Sequence, residues 1–537
     1  MQIKKSWKAM AAAAAILILT MNIGVSAFAA DTYNNYEYTT DNFNGLIIDP
    51  ETQSNPLLAP NAMAAGRILN HLSLDTKPLV NPSDFCFDRE GQMYILDSGT
   101  QGNGNGRIIA VSKDLNTILY VSEGFDYNSE SMDLFDANGI YVDINGLIYV
   151  TFMNKAQIAV LRPEQTGGGY ELVLDRMITA PDVSRVQENF VFKPVKIVAD
   201  ETGKMIIANQ GSFNGLLSLD AAGDFTGFIG ANKVVVNAWD YFWKSIATSR
   251  QKEARLDYIP IEFSSVDIDD AGFFYVTVRG NQSDINRTQA IIESKVRKLN
   301  RSGDDILYQT SNRILGDRTS NIVRGQIGSE SSFVDVCAGD YGVFYCLDST
   351  RGRVFAYDDS SRQLFVVGSL ANQTGCFKNP AAVEWHDGKL YVLDMGLGQI
   401  TEFRQTEYGM HLLDGIRYRS QTEYEKSYES FRRVLEINAN NETALIGVGK
   451  SLYSKGEYKE AMRAFLLGGD RISYSRAFER YRTQVVRQAV NIAGPILIVI
   501  VVLLIAYRLF LFAKRSRNRF LFFMEQSRRY RQNQKKR

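Results

Sequence analysis

Three aspartates recur at one position of a repeated phrase. Asp97, Asp348 and Asp394 each stand six residues after a turn glycine, in the segments GQMYILD from Gly91, GVFYCLD from Gly342 and GKLYVLD from Gly388. Three carboxylates around one opening could hold a divalent cation such as calcium, because hard cations take oxygen ligands. An aspartate at a strand end also caps its own turn. Phe152, Asn209 and Val278 fill the position in the other three copies, so a carboxylate there is not general to the repeat. The three histidines, His71, His386 and His411, fall in a leader segment, a hairpin turn and a helical stretch, which leaves no histidine acid/base pair. There is no GxSxG elbow and no HExxH helix. The glycines at 102, 104 and 106 precede a strand rather than the helix N-terminus that holds phosphate. No catalytic residue and no cofactor are expected, with a divalent cation at the three aspartates as the alternative.

A second candidate is aromatic. Val235, Val236, Trp239, Phe242, Trp243, Ile246 and Ala247 recur at helical spacing before the charged run RQKEARLD, which predicts an amphipathic helix. Such a helix covers apolar surface, or it presents Trp239, Phe242 and Trp243 to a sugar ring or a partner helix.

The elements that must position these residues are strands. The phrase occurs six times, from Gly91, Gly146, Gly203, Gly272, Gly342 and Gly388, and five of the copies carry Tyr three residues after the glycine. Each copy reads as a β-hairpin with glycine at the turn, where positive φ costs little. Third strands follow, such as RIIAV from Arg107 and RVFAY from Arg353, and fourth strands are readable in five copies, DILYQ from Asp305 among them. A unit that cannot bury its own apolar face must stack on its neighbours, so the repeat predicts a six-bladed β-propeller over residues 35–405. The sixth blade lacks its last strand, and NYEYTTD from Asn35 is expected to supply it and close the ring.

Past residue 408 helices replace strands. From Ile492 to Phe512 the chain is apolar except for Arg508, which predicts a transmembrane helix. Residues 1–29 carry three lysines, an apolar run and Ala27-Phe28-Ala29, and read as a secretory signal peptide. From Arg508 onward the tail holds eleven basic residues and one acid, and the positive-inside rule places it in the cytoplasm. The expected protein is single-pass, type I, in the cell membrane, with its N-terminal domains outside. Lys plus Arg and Asp plus Glu both number 60, but a balance of +10 in the tail and +3 in the leader leaves −13 for the rest. That charge excludes nucleic acid as a partner of the exported part. Phe520, Leu521, Phe522, Phe523 and Met524 among the tail arginines are expected to meet anionic lipid.

Four cysteines, Cys86, Cys337, Cys346 and Cys376, are too few for a disulfide framework. A two-residue turn at Tyr341-Gly342 would set Cys337 opposite Cys346, so this pair is either bonded or two buried thiols.

Residues 408–475 show a 34-residue period and resemble tetratricopeptide repeats through Leu445, Gly449, Leu452, Gly456, Tyr458, Ala461 and Phe465. A second copy matches through Gly415, Tyr418, Tyr424, Phe431 and Val434, and departs from the pattern at Ser427, Thr422 and Ala439. The forms NPSDFCFDREGQMYILDSG and NPAAVEWHDGKLYVLDMG resemble NHL-type propeller repeats. The expected fold class is mainly β with α: a six-bladed propeller, a short tetratricopeptide array over 408–475, a capping helix over 476–491, a transmembrane helix over 492–512 and a basic tail over 513–537. This combination resembles exported proteins that accompany bacterial carbohydrate uptake systems. It implies a binding or scaffold protein recognising a partner protein or a glycan. The alternative is a membrane-tethered, metal-dependent lactonase or hydrolase of the six-bladed type, working through Asp97, Asp348 and Asp394.

Overall fold

The computed structural model describes residues 60–100, 106–127, 130–167, 169–183, 190–230, 262–279, 295–307, 315–317, 322–323, 326–327, 331–371 and 373–534. Two compact units divide the chain, one ending at Gly409 and the other starting at Met410.

The first unit is a six-bladed propeller. Blade 1 runs through Pro82–Phe87, Met93–Asp97, Arg107–Val111 and Ile118–Ser122. Blade 2 is built from Gly139–Val142, Ile148–Phe152, Gln157–Thr166 and Gly169–Ile178, and blade 3 from Pro194–Ala199, Met205–Asn209, Leu216–Leu219 and Phe225–Ile229. Blade 4 has Glu262–Ile268, Phe274–Arg279 and Val296–Leu299. Of its expected fourth strand, the described residues form one bridge, Leu299 to Asp305. Blade 5 has Phe333–Ala338, Phe344–Asp348, Arg353–Tyr357 and Gln363–Val367, and blade 6 has Pro380–His386, Lys389–Asp394 and Gln399–Gln405. The first strand of each blade touches the first strands of both neighbours, and blade 6 returns to blade 1.

The strand that completes blade 6 is Met63–Leu69, antiparallel to Gln399–Gln405, with Met63 opposite Gln405 and Leu69 opposite Ile400. This corrects the expectation for NYEYTTD, whose residues lie outside the described ones. MAAGRIL lacks the alternation that marks a strand, yet Met63 and Leu69 reach the core. What selects it is the unpaired edge of Gln399–Gln405. Cores lie between blades rather than within them. Phe85, Ile95 and Ile109 of blade 1 pack with Leu69, Tyr391 and Leu393 of blade 6, and Tyr149, Val160 and Ile178 of blade 2 pack with Ile197 and Ile207 of blade 3.

The hairpin turns of blades 1 to 5 are one residue longer than the sequence suggests, whereas blade 6 keeps the two-residue turn Asp387-Gly388, with His386 opposite Lys389. Gly91 donates its N–H to Asp88 O at 3.1 Å, Asp88 N–H to Gln92 O at 3.0 Å, and Gly91 has φ +88°. This is a three-residue turn with a glycine bulge. An aspartate three residues before the glycine organises it: Asp88 Oδ1 accepts from Glu90 and Gln92 N–H, and Asp143, Asp200 and Asp269 do the same in blades 2, 3 and 4. The repeated tyrosine finishes the device. Tyr94, Tyr149 and Tyr275 donate their hydroxyls to Asp88, Asp143 and Asp269. In blade 5 glycine 339 stands where that aspartate would be, and the buried Tyr345 hydroxyl has no hydrogen-bond partner among the described residues.

The second unit is helical. The helices α1 (Glu407–Ser420), α2 (Tyr424–Ile437), α3 (Glu442–Lys455) and α4 (Tyr458–Leu467) form two pairs, followed by α5 (Arg471–Gln534). Small residues let large ones in. A Cβ on Gly447 would fall 2.2 Å from the Phe431 ring, and one on Gly449 2.7 Å from Phe465. Ser427 is buried and donates to Gly415 O at 2.9 Å, which satisfies a hydroxyl where an alanine was anticipated. Asn441 caps α3 by accepting from Ala444 N–H, and Gly456 ends it at φ +83°.

The stretch that the sequence divides at 491 and 512 is a single helix. The 64 residues of α5, with Pro495 inside, span about 96 Å at the usual rise. Its apolar middle is exposed, Leu497 at 65%, and is long and apolar enough to be a candidate membrane span. Ala477 near its start packs with Ile446, Ala461 and Phe465.

Deleting residues 63–69 should open the ring and give aggregation on size exclusion, because the edge of Gln399–Gln405 is exposed, whereas deleting 35–41 should leave the propeller's melting unchanged. Leu69→Ala should cost about 2–5 kcal/mol in chemical denaturation.

Candidate functional site

The aspartates singled out by the sequence are each committed to their own blade. Asp97 accepts from the Val80 and Asn81 N–H groups and pairs with Arg107 Nε at 3.1 Å. Asp348 accepts from Ser331 Oγ at 2.7 Å and from Ser332 and Thr350 N–H, while Asp394 accepts from Lys378, Asn379 and Leu397 N–H. Asn209 accepts from Lys193 N–H at 2.6 Å in blade 3. At all four positions the side chain ends a second strand and fastens the loop entering its blade. All three carboxylates are buried, and burial lifts the Asp348 carboxyl against the pull of its hydrogen bonds. Among the described residues, no group of three histidine, cysteine or acidic side chains is placed to hold a metal ion. Trp239, Phe242 and Trp243 lie outside the described residues.

The charged residues that the structure does bring together come from the innermost strands. Each such strand has one paired edge and one edge facing the axis of the ring, and buried backbone donors on that second edge need partners. Acids supply them. Asp84 of blade 1 accepts from Ile140 N–H of blade 2 at 2.9 Å, Asp267 of blade 4 from Ala338 N–H of blade 5 at 2.7 Å, and Asp335 of blade 5 from Val383 N–H of blade 6 at 2.9 Å.

These acids converge on one lysine. Lys196 Nζ of blade 3 lies 2.5 Å from Asp84 Oδ1 and 3.4 Å from Asp335 Oδ1, and Ser265 Oγ of blade 4 donates to Asp335 at 2.6 Å. The four residues occupy one rung, opposite Leu96, Ala208, Thr277 and Leu347 of their second strands. The rung two residues further on carries Cys86, Tyr141, Asp267, Cys337 and Glu384, opposite the repeated tyrosines. Two stacked polar rings thus line the axis, with four carboxylates to one ammonium.

Their electrostatics follow from that ratio. Burial pushes Asp84 up to about 6, helped by Asp335 and opposed by Lys196. Burial also pushes Asp267 up to about 6 against the Ala338 hydrogen bond. Glu384 stands well above the usual carboxylate range, first through burial and then through the Asp267 charge. Burial works against the Lys196 charge, but Asp335, Asp84 and Glu384 outweigh it and hold the ammonium firmly. Burial lifts the Cys86 and Cys337 thiols, so neither is a ready nucleophile. The arrangement is suited to holding charge and protons, and a lysine kept as ammonium does not attack a carbonyl.

The cysteine pair left open by the sequence is not bonded. Cys337 stands opposite Tyr345 and Cys346 opposite Val336, and both are free and buried. The extra turn residue shifts the register by one, which sends the two side chains to opposite faces. In the helical unit an open cavity of about 550 Å³ is lined by Thr422, Tyr424, Lys426, Ser454 and Lys455. Lys455 there pairs with Glu425 at 2.7 Å and lies over the Tyr428 ring.

No family model matches the chain, and no curated protein matches it. Solved propellers do. Virginiamycin B lyase from Staphylococcus aureus aligns at 10% identity and TM-score 0.34, over 63% of this chain and 99% of the lyase. BamB from Moraxella catarrhalis aligns at 12% identity and TM-score 0.30, over 61% and 86%. Glutaminyl cyclase from Myxococcus xanthus aligns at 9% identity and TM-score 0.30, over 64% and 95%. At these identities the likeness concerns the propeller fold and leaves the chemistry of those proteins with them.

Two substitutions check the roles assigned above. Asp97→Ala leaves the buried Arg107 with backbone carbonyls but no counter-charge and should cost about 3–5 kcal/mol in chemical denaturation, equally with and without added calcium. Lys196→Met should cost a similar amount, about 3–5 kcal/mol, at neutral pH and less in acid, where Asp84 is protonated.

Proposed function

We propose that this chain is a membrane-anchored binding or scaffold protein, which presents its propeller and its helix pairs to a partner outside the cytoplasm. The observation that carries the reading is the combination on one chain of a closed ring, an open cavity on two helix pairs and a 64-residue helix with an exposed apolar middle. The commitment of Asp97, Asp348 and Asp394 to loop N–H groups, Ser331 and Arg107 favours recognition over hydrolysis at that mouth.

Tetratricopeptide and NHL character, the signal peptide and type I orientation are parts of this proposal. Helix pairs with small residues beneath Phe431 and Phe465 fit a repeat array whose concave side takes a peptide or a partner helix. The partner is a protein or a glycan, and a role beside a carbohydrate uptake system is the setting in which both would be met. The basic residues after Phe512 fit the cytoplasmic side and anionic headgroups.

Orientation and binding are tested in one cell. With the full chain expressed, protease added to intact spheroplasts should remove the propeller and leave a tag after Arg537 protected until the membrane is broken; the opposite pattern overturns the orientation. A photo-crosslinker at Tyr424 or Ser454 should give one discrete adduct, protein or glycan, and loss of all adducts at both positions would count against the helical surface as the binding face.

A further inference from the structure

We infer that the axis of the ring is a proton-operated clamp: near neutral pH at least one carboxyl of the Glu384 and Asp267 pair stays protonated, and its ionisation in alkali loosens blades 4, 5 and 6 from one another.

The geometry sets this up. Among the described residues, the polar groups on the two axial rungs come from innermost strands: Asp84 and Cys86 of blade 1, Tyr141 of blade 2, Lys196 of blade 3, Ser265 and Asp267 of blade 4, Asp335 and Cys337 of blade 5, Glu384 of blade 6. The one cation on these rungs among the described residues is already engaged, with Asp84 and Asp335 both within 3.4 Å of Lys196 Nζ. Asp267 accepts from the backbone N–H groups of Ala338 and Ile268 and has no ion pair with a described residue. Glu384 has neither, and its neighbours in charge are Asp267, Lys196, Asp335 and Asp84. Ionising all four carboxylates around one ammonium would leave three uncompensated charges in a confined space, and like charges there keep one another protonated. Asp267 and Glu384 are largely buried but not fully enclosed, so the proton can exchange with solvent.

The direction of the response follows. Both carboxyls hold a proton in the folded ring at pH values where the unfolded chain has lost it. Their contribution to stability is therefore greatest in acid, below their ordinary pKa values. It falls as pH rises through the folded values, about 6 for Asp267 and higher for Glu384. The contacts that weaken are those the acids hold: the Ala338 N–H on Asp267, and the Val383 N–H on Asp335, the neighbour whose charge Glu384 feels.

Infrared difference spectroscopy on the full chain in lipid nanodiscs tests this, with amide hydrogen exchange at Ala338 and Val383 as the local readout. The wild type should show a protonated-carboxyl band near neutral pH that disappears in alkali, and exchange at both amides should rise at least about tenfold between about pH 6 and about pH 9 beyond the intrinsic base catalysis. Glu384→Gln should weaken the band and Glu384→Gln with Asp267→Asn should abolish it, and both variants should flatten the exchange response. A wild type without the band near neutral pH, or a band untouched by the double substitution, overturns the proposal. Failure of Glu384→Gln to fold overturns it as well, because the amide is the neutral mimic of the state that the clamp requires.

Discussion

Closure of the ring is the constraint on which everything else in this unit depends. A blade has two apolar faces and no core of its own, so its stability resides in the interfaces with the blades on either side. An incomplete sixth blade would leave an unpaired edge and a gap in the circle of interfaces. Met63–Leu69 removes both by pairing with Gln399–Gln405, and it does so across the whole sequence of the propeller. A segment with alanine, glycine and arginine at its centre serves because it needs only Met63 and Leu69 to reach the core at its ends.

The same closure creates the polar axis. Six innermost strands each turn an edge inward, and their N–H groups cannot all reach water or another strand. Asp84, Asp267 and Asp335 answer that need one blade ahead, each stapling its neighbour's backbone. Once three acids stand on the axis, a cation becomes favourable, and Lys196 provides it. Glu384 is the surplus. A structural solution for backbone donors thus leaves more carboxylates than cations at the axis among the described residues.

Much of the architecture was legible in the residues. The six hairpin phrases, their glycines and tyrosines, and the change from period two to helical spacing near residue 408 each follow from local rules, and the structure has the six blades and the helices where those rules place them. Finer features were not legible. The aspartates Asp88, Asp143, Asp200 and Asp269, three residues before the glycines of blades 1 to 4, mark those turns in the sequence. That signal gives a three-residue turn in blades 1 to 4, but blade 5 has Gly339 in its place, so nothing local marks the register that sets Cys337 opposite Tyr345. The Asp97, Asp348 and Asp394 position looked like a mouth because it repeats. It recurs because blades 1, 3, 5 and 6 fasten their incoming loops there, blade 3 with the Asn209 amide oxygen. The axis cluster left no mark in the sequence, since Asp84, Lys196, Asp335 and Glu384 are up to 300 residues apart and occur in ordinary strands.

The sequence by itself determined the repeat, the number of blades, the helix pairs and the apolar stretch of α5, because each depends on propensity and periodicity within a few dozen residues. Tertiary structure alone decided which strand closes the ring, which side chains meet at the axis and how many protons they hold. Those are properties of a closed circle: register and charge there are set by the neighbour in space, and for the last blade that neighbour is Met63–Leu69, which precedes the first blade in sequence.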